Sequence, residues 1–252
     1  MRQGTPHIGA LKRTLAMLEA VIADNGASNA TALARALAMP PATAHRQIAT
    51  LVAEGYLAPV GKGRHLAGPR LLNLLHRLDE KQVIANVAAP VLHILAARVR
   101  GIAQLGTFEN DMVTYRIKTG RGATDLFTKI GMQLEAYCSG IGKVLLAHLP
   151  PTERERYLAG GPFVALTHRT ITAPALLREE LDRVRREGFA LDQGEIVEKL
   201  HCLAVAIRTP DGAVPAAISL SLADTAKLDR DDLLRLLQDA ARKIENAAFP
   251  AS

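Results

Sequence analysis

The sequence predicts an α+β fold in two parts, a small N-terminal domain and a larger domain built on an antiparallel sheet. Three observations carry that reading. Residues 1–70 hold three short runs with helical spacing of apolar residues, then a small strand–turn–strand. From Ala103 onward, β-rich runs joined by tight turns alternate with helical runs. The length of 252 residues suits one or two domains and can bury a sizeable core without disulfides or metal.

Ile8, Leu11, Leu15, Leu18 and Ile22 are spaced as one apolar face of a first helix. Residues 30–37 predict a second helix, with Leu33 and Leu37 on one face and Thr31 as its cap. Pro40 ends that run, because proline disfavours helical geometry in the residue before it. A third helix follows over residues 41–54, since proline is tolerated in a first turn. Its apolar face is Ala44, Ile48, Leu51 and Val52, and Gly55 closes it. Residues 56–60 and 64–66 read as short strands around the turn Gly61-Lys62-Gly63. Helix, helix, three-residue turn, helix and hairpin is the order of a winged helix-turn-helix. In that arrangement the third helix enters the DNA major groove.

Gly68-Pro69 opens a helix over residues 70–79, and a second helical run covers 83–100. Strands are predicted over 103–109 and 112–119, with Asn110-Asp111 between them, and over 134–138. Helices are predicted over 141–148, 151–159, 175–187 and 230–248. β-rich runs over 201–207 and 216–222 flank the turn signal Pro210-Asp211-Gly212. The expected organisation is a DNA-binding domain over 1–68, a linker helix over 69–82 and a second domain over 83–252.

An apolar content of 48% with 22% charged residues is ordinary globular composition and excludes collagen, coiled-coil and wholly disordered classes. No apolar leader develops before Lys12-Arg13. The weakly polar stretch 83–97 is short and carries Asn86, Pro90 and His93, so no membrane span is expected. A cytoplasmic location follows from these two points. Cys138 and Cys202 make no disulfide framework, and with eight scattered His they show no metal-ligand spacing. Neither a metal nor a cofactor is expected. Residues 1–70 carry 8 Lys/Arg against 3 Asp/Glu, whereas residues 71–252 carry 23 against 22. The basic excess therefore sits at the N-terminus, and its natural partner is a polyanion.

Helical spacing puts Ala42, His45 and Arg46 on one face of the third helix, opposite its apolar side. Arg46 is suited to a guanine edge or a phosphate, and Thr43 to a phosphate near the helix start. Thr50 continues the polar side, and Lys62, Arg64 and His65 fit a wing against backbone phosphates. A solvated helix face and a charged hairpin tip are the competing readings.

Ser139-Gly140-Ile141-Gly142-Lys143 is not a phosphate loop, because Tyr137 and Val144 stand where that motif needs Gly and Ser or Thr. It reads as a strand-to-helix turn whose free amides can receive an anion. Ser219 and Ser221 share one strand face, with Ile218, Leu220 and Leu222 on the other. That serine face is either a pocket wall or solvent-exposed. His201 and Cys202 are adjacent on a strand, point to opposite faces, and so form no catalytic pair.

Longer motifs carry a resemblance. LARALAMPPATAHRQIATLVAEGYL and RHLAGPRLL stand in the first part. SGIGKVLLAHLPP, THRTIT, LREELDRVRREGFALDQGE, HCLAVAI, PDGAV and AAISLS follow in order. Over residues 8–245 the chain resembles the IclR family of bacterial transcriptional regulators. Ala42 stands where the family usually has Ser, and His65 where it usually has Tyr.

The resemblance implies a winged helix-turn-helix followed by a GAF-like effector-binding domain. It implies double-stranded operator DNA as partner, a small organic acid as effector, and a homodimer or homotetramer. It points to a repressor of a catabolic operon, with Thr31 added to the DNA-facing set. It assigns Gly140 and Ile141 as backbone donors to the effector, and Asp192, Cys202, Ser219 and Ser221 as polar walls. Ala123, Leu126, Leu134 and Leu200 become the apolar lining. Aromatic residues are only 4% of the chain, which favours a small aliphatic acid. Two other classes compete: an enzyme converting a small acid with an accessory DNA-binding domain, and an architectural DNA-binding protein without ligand.

Overall fold

A computed structural model describes residues 7–222 and 229–250. The chain divides into two compact units, residues 1–79 and 80–252.

The first unit runs α1 (Gly9–Asp24), α2 (Ala30–Ala36), α3 (Pro41–Ala53), β1 (Leu57–Gly61), β2 (Arg64–Ala67) and α4 (Pro69–Leu75). Its core is small, with Met17, Val21, Ala34, Ala44, Ile48 and Leu57 among its members. Two sequence expectations are corrected here. The face of α1 that packs inward carries Met17 and Val21, while Ile8, Leu11, Leu15 and Ile22 are exposed. The apolar residues of α1 cover more than one face, and spacing alone could not choose between them. Asn29 caps α2, accepting from the Ala32 amide at 2.9 Å, and Thr31 is an exposed residue inside the helix.

Helix α3 ends as expected. Gly55 has φ +76, and the Tyr56 amide reaches back to the Leu51 carbonyl at 2.8 Å. Lys62 and Gly63 both have positive φ, as the two-residue turn of a tight hairpin requires. β1 and β2 pair antiparallel, and the Gly63 carbonyl accepts from the Ala30 amide, which ties the hairpin to α2. Helix α4 stops at Leu75, short of the predicted end, and buries no residue.

The second unit contains α5 (Glu80–Val99), β3 (Ile102–Glu109), β4 (Met112–Gly120), β5 (Gln133–Glu135), α6 (Gly140–Ala147), α7 (Pro151–Leu158) and α8 (Pro174–Glu187). It continues with β6 (Phe189–Gln193), β7 (His201–Ile207), β8 (Ala216–Leu222) and α9 (Arg230–Ala248). The six strands form one sheet in the order β5-β4-β3-β8-β7-β6, and every pairing is antiparallel. Strand β6 was not foreseen. It is a five-residue edge strand directly after a helix, too short for alternation to announce it. The predicted strand over 134–138 pairs only as far as Glu135, because from Ala136 the chain turns under α6.

Strand alternation sorts two cores. Leu105, Leu203, Ile218 and Leu220 face α5 and α9. Ala190, Ala204, Ala206 and Ala217 face α6 and α8. The second face is thus paved with small residues, so α6 can lie close on the sheet. Ser219 and Ser221 alternate onto that same side and are 2% and 3% exposed, which removes the solvent-facing reading. The side chain of Leu222 lies outside the described residues.

Helix α5 corrects the membrane argument made from sequence. At 20 residues it is long and apolar enough to cross a bilayer, and Pro90 does not interrupt it. Ile84, Ala88, Leu92 and Leu95 are buried in the core, whereas Val83 and Ile94 are exposed.

Gly142 decides how α6 seats. A Cβ there would lie 2.1 Å from the Ala136 carbonyl oxygen and 2.5 Å from its Cα, both rigid backbone. Gly142→Ala should therefore destabilise the chain by about 1–3 kcal/mol or more through overpacking. Urea denaturation followed by circular dichroism checks this; an unchanged midpoint would show that α6 does not need this close approach.

Candidate functional site

Each unit presents one candidate site. In the first, α3 has two distinct sides. Ala44, Gln47, Ile48 and Leu51 are buried, whereas Ala42, His45, Arg46 and Thr50 are exposed and Thr43 is half-buried. The Thr50 hydroxyl donates to the Arg46 carbonyl at 2.9 Å, so it is engaged by its own helix. Lys62 is exposed at the hairpin tip, and Arg64 and His65 are half-buried along β2.

Among the described residues, Arg46, Lys62 and Arg64 have no acidic partner. Glu54 instead faces Arg70 at 3.6 Å, and Asp24 accepts the Ser28 amide at 2.7 Å. The positive charge of this surface is thus uncompensated from within the unit.

In the second unit a small, partly enclosed cavity lies where α6 begins. It is lined by Gln104, Tyr115, Leu126, Phe127, Thr128, Ser139, Gly140, Ile141, Asp192, Ile196, Leu200, Cys202 and Ser219. The space between these atoms is about 300 Å³, and its freely open part holds about one water. Seven predicted residues meet here: Leu126, Gly140, Ile141, Asp192, Leu200, Cys202 and Ser219. Three do not line it. Leu134 packs at the edge of the α6-side core, and Ala123 sits half-buried in the turn after β4. Ser221 stands one step behind, its Oγ 3.0 Å from Cys202 Sγ.

Sequence reasoning missed Gln104, Tyr115, Phe127, Thr128, Ser139 and Ile196. Tyr115 and Phe127 also correct the argument from aromatic scarcity, because two of the chain's few aromatic rings border this one cavity.

The cavity floor is a helix start. Ser139 caps α6, its Oγ accepting the Gly142 amide at 3.0 Å. The amides of Gly140 and Ile141 belong to the first turn and have no intrahelical partner. They sit at the positive end of the helix dipole, where an anion is stabilised.

One wall is Asp192, 1% exposed, whose Oδ1 accepts the Gly194 and Glu195 amides at 3.1 and 2.8 Å. Burial pushes its carboxyl up to about 6, against those hydrogen bonds and the charge of Lys143. Burial likewise raises the thiols of Cys202 and Cys138, each to about 12. Both thiols are protonated at neutral pH and are not nucleophiles.

A lid and a brace hold these walls. The Lys118 ammonium donates to the carbonyls of Leu126 and Thr128, and Gln104 Nε2 donates to Thr128 Oγ1 at 2.9 Å. Together they pin the segment over the cavity. Behind the floor, the fully buried Lys143 Nζ lies 2.5 Å from Glu195 Oε1 and 3.1 Å from Glu180 Oε1. Its ammonium faces inward, which is the structural use of the Gly-Lys pair in SGIGK. The THRTIT run clamps the loop after β6. Thr167 and Thr170 hydroxyls donate to the Gly194 and Glu195 carbonyls, both at 2.7 Å, and Arg169 Nη1 donates to the Gln193 carbonyl at 3.0 Å. Among the described residues no cluster of His, Cys, Asp or Glu is arranged to hold a metal ion. The arrangement can bind a small molecule through donors on one side and apolar contacts on the other.

Residues 76–246 match the family described as the C-terminal domain of the bacterial transcriptional regulator IclR, and residues 10–61 match the IclR helix-turn-helix domain. The transcriptional regulator BhcR of Paracoccus denitrificans is 31% identical over 217 residues, covering 85% of this chain and 77% of that protein. The crystal structure of the Agrobacterium tumefaciens repressor BlcR superposes with a TM-score of 0.72 at 27% identity, covering 96% of this chain and 97% of that one. An IclR homologue from Microbacterium hydrocarbonoxydans, solved with 4-hydroxybenzoate, gives 0.62 at 29% identity, covering 95% and 99%. These relatives are regulators, not enzymes. The chain belongs to the IclR family, and it is a ligand-responsive, DNA-binding transcriptional regulator.

Proposed function

We propose that this protein is a repressor that holds operator DNA and releases it when a small organic acid fills the cavity at the start of α6. The observation that carries the effector half is that Gly140 and Ile141, the first two residues of α6, line one small cavity with Ser219 in its wall. A carboxylate would take those amides and the hydroxyl, and the apolar body would meet Leu126, Phe127 and Leu200. The Microbacterium relative is described in complex with a carboxylic acid, which supports this class of ligand. Tyr115 and Phe127 make an aromatic acid as well suited as an aliphatic one.

Operator DNA would meet the exposed face of α3, with Arg46 and His45 at base edges and Thr43 at a phosphate. Lys62, Arg64 and His65 would follow the backbone from the wing, and Ala42 would allow close approach. Thr31 of α2 and Thr50 of α3 are exposed as well and would join this surface. The description of the Agrobacterium relative as a repressor supports the sign of regulation. The protein would act in the cytoplasm on a catabolic operon.

Assembly would be a homodimer or homotetramer. The exposed leucines and isoleucines of α1, and Leu72 and Leu75 of α4 at 59% and 65% exposure, have no cover within their own unit. The effector acts only through a difference in affinity between the DNA-holding and released arrangements.

A thermal-shift screen of carboxylic acids tests the effector half. An acid at 100 times its Kd should add about 2.7 kcal/mol of stability. A released operator in the same acid would complete the case; stabilisation by no acid would end it. Arg46→Ala should weaken operator binding by about 1–3 kcal/mol while the effector still binds. Unchanged operator affinity in a gel-shift titration would show that this face does not read DNA. Ser219→Ala combined with Ser221→Ala should weaken an acidic effector at least about tenfold, since the one hydrogen bond from Ser219 to a charged group contributes about 1.5–3 kcal/mol. Calorimetric titration reads this directly. A double variant that binds and responds like wild type would place the effector elsewhere.

A further inference from the structure

We infer that an acidic effector enters this cavity together with a proton, which Asp192 takes up, so that the regulator reads acid concentration and pH jointly. This rests on the acid-sensing reading above and adds the condition under which an anion can occupy that site.

The geometry sets a conflict. The amides at Gly140 and Ile141 invite a carboxylate, but Asp192 stands in the same small cavity. A Cβ built on Gly140 would lie 3.8 Å from both the Asp192 amide nitrogen and the Cys202 Cβ. β6 and β7 therefore pass directly beside the helix start. An anion on the floor would share this small cavity with Asp192, with room for about one water beside it.

The groups around Asp192 do not relieve this. From α6, Lys143 is the nearest cation, and it is already held by Glu195 of the following loop and Glu180 of α8. Glu180 also pairs with Arg183 at 2.8 Å. Arg183 also meets Glu187 at 2.5 Å, so two cations face four carboxylates, Asp192 included, and with all of them ionised the cluster carries two negative charges in excess. Among the described residues, Glu195 Oε2 has no hydrogen-bond partner. From β4 comes Tyr115, from the segment before α6 comes Cys138, and from β7 comes Cys202, all uncharged at neutral pH. His201, the neighbour on β7, is exposed, and Arg230 of α9, which lines a second pocket with Asp192, meets Asp231 at 3.6 Å.

Two carboxylates confined at short range share one proton rather than both ionise. Asp192 is suited to carry it. Burial has pushed its carboxyl up to about 6, so protonation near neutrality costs little. Oδ1 keeps the Gly194 and Glu195 amides, and the protonated acid becomes a hydrogen-bond donor towards the effector. The proton comes from solvent and returns to it when the effector leaves.

The sign follows from linkage. Above about pH 6 the free site must acquire a proton to bind the anion, so affinity falls by up to about tenfold per pH unit. Below that pH the dependence flattens. A neutral amide of the same acid needs no proton and shows no such slope.

The test is calorimetry on the full chain, with glycolate, lactate and 4-hydroxybenzoate as probes and lactamide as the neutral control. Titrations run from pH 5.5 to 8.5 and, at pH 7.5, in phosphate and in Tris, whose ionisation heats differ. The expected result is uptake of about one proton per acid bound, a falling affinity above pH 6, and neither effect with lactamide. Asp192→Asn keeps an Oδ1 acceptor and should remove both the slope and the buffer dependence, tightening acid binding at pH 8. Acid binding to wild type with no slope and no buffer dependence overturns the proton uptake and leaves the acid-sensing reading standing. A slope that survives in Asp192→Asn places the proton elsewhere and also overturns it. If none of the acids binds, whether or not lactamide does, the acid-sensing reading itself falls, and the proton uptake with it. The wild-type titrations decide the matter even if the variant folds poorly.

Discussion

The buried contact between Lys143 and Glu195 ties together the two parts from which the effector cavity is made. Lys143 stands on α6, whose first turn is the cavity floor. Glu195 stands in the loop that follows Asp192, which is the wall. An ammonium that is 1% exposed cannot be left alone in a core, so these two elements must meet in one relative position. Such a pair adds little net stability over an apolar substitute, but breaking it strands a buried charge. Its effect is to fix geometry. The THRTIT segment holds the same loop from the other side through three hydrogen bonds to backbone carbonyls.

The seating of α6 on the sheet depends on what is missing from side chains. Ala190, Ala204, Ala206 and Ala217 pave the face beneath it, and Gly142 lets its first turn touch the Ala136 backbone. Leucine-sized residues on that face would lift the helix start away from Asp192 and Cys202. Chemistry and packing are therefore one constraint. The helix dipole can act on a ligand only because the strands beneath it are small enough to bring the polar walls close.

Much of this was legible in the sequence, and the limits follow from the kind of signal involved. Long helices and hairpins were read within a few residues, because α8, α9 and the β3–β4 turn have strong periodicity or strong turn residues. The choice of face on α1 was not legible, since its apolar residues surround more than half of the helix and the packed face carries Met17 and Val21. The edge strand β6 was too short to show alternation. Around the cavity, residues inside longer motifs were found: Gly140 and Ile141 in SGIGK, Asp192 in LDQGE, Cys202 and Ser219 in strand runs. Gln104, Tyr115, Phe127 and Thr128 were not, because they come from distant parts of the chain and only the sheet order brings β3 and β4 beside α6. Gln104 on a strand reads as a polar edge residue until pairing puts it opposite Ser219. The resemblance to a family supplied positions that spacing alone did not, and two of them, Ala123 and Leu134, do not border this cavity.

The claim on which the rest turns is that an effector sits on the first turn of α6. Amide hydrogen exchange, measured on the full chain with and without the acid that stabilises it most, addresses this directly. The account predicts slowed exchange at Gly140 and Ile141, with further protection over the lid residues Leu126 to Thr128 and the loop from Asp192 to Glu195. Protection confined to another part of the second unit, with the α6 amides exchanging as before, would contradict it.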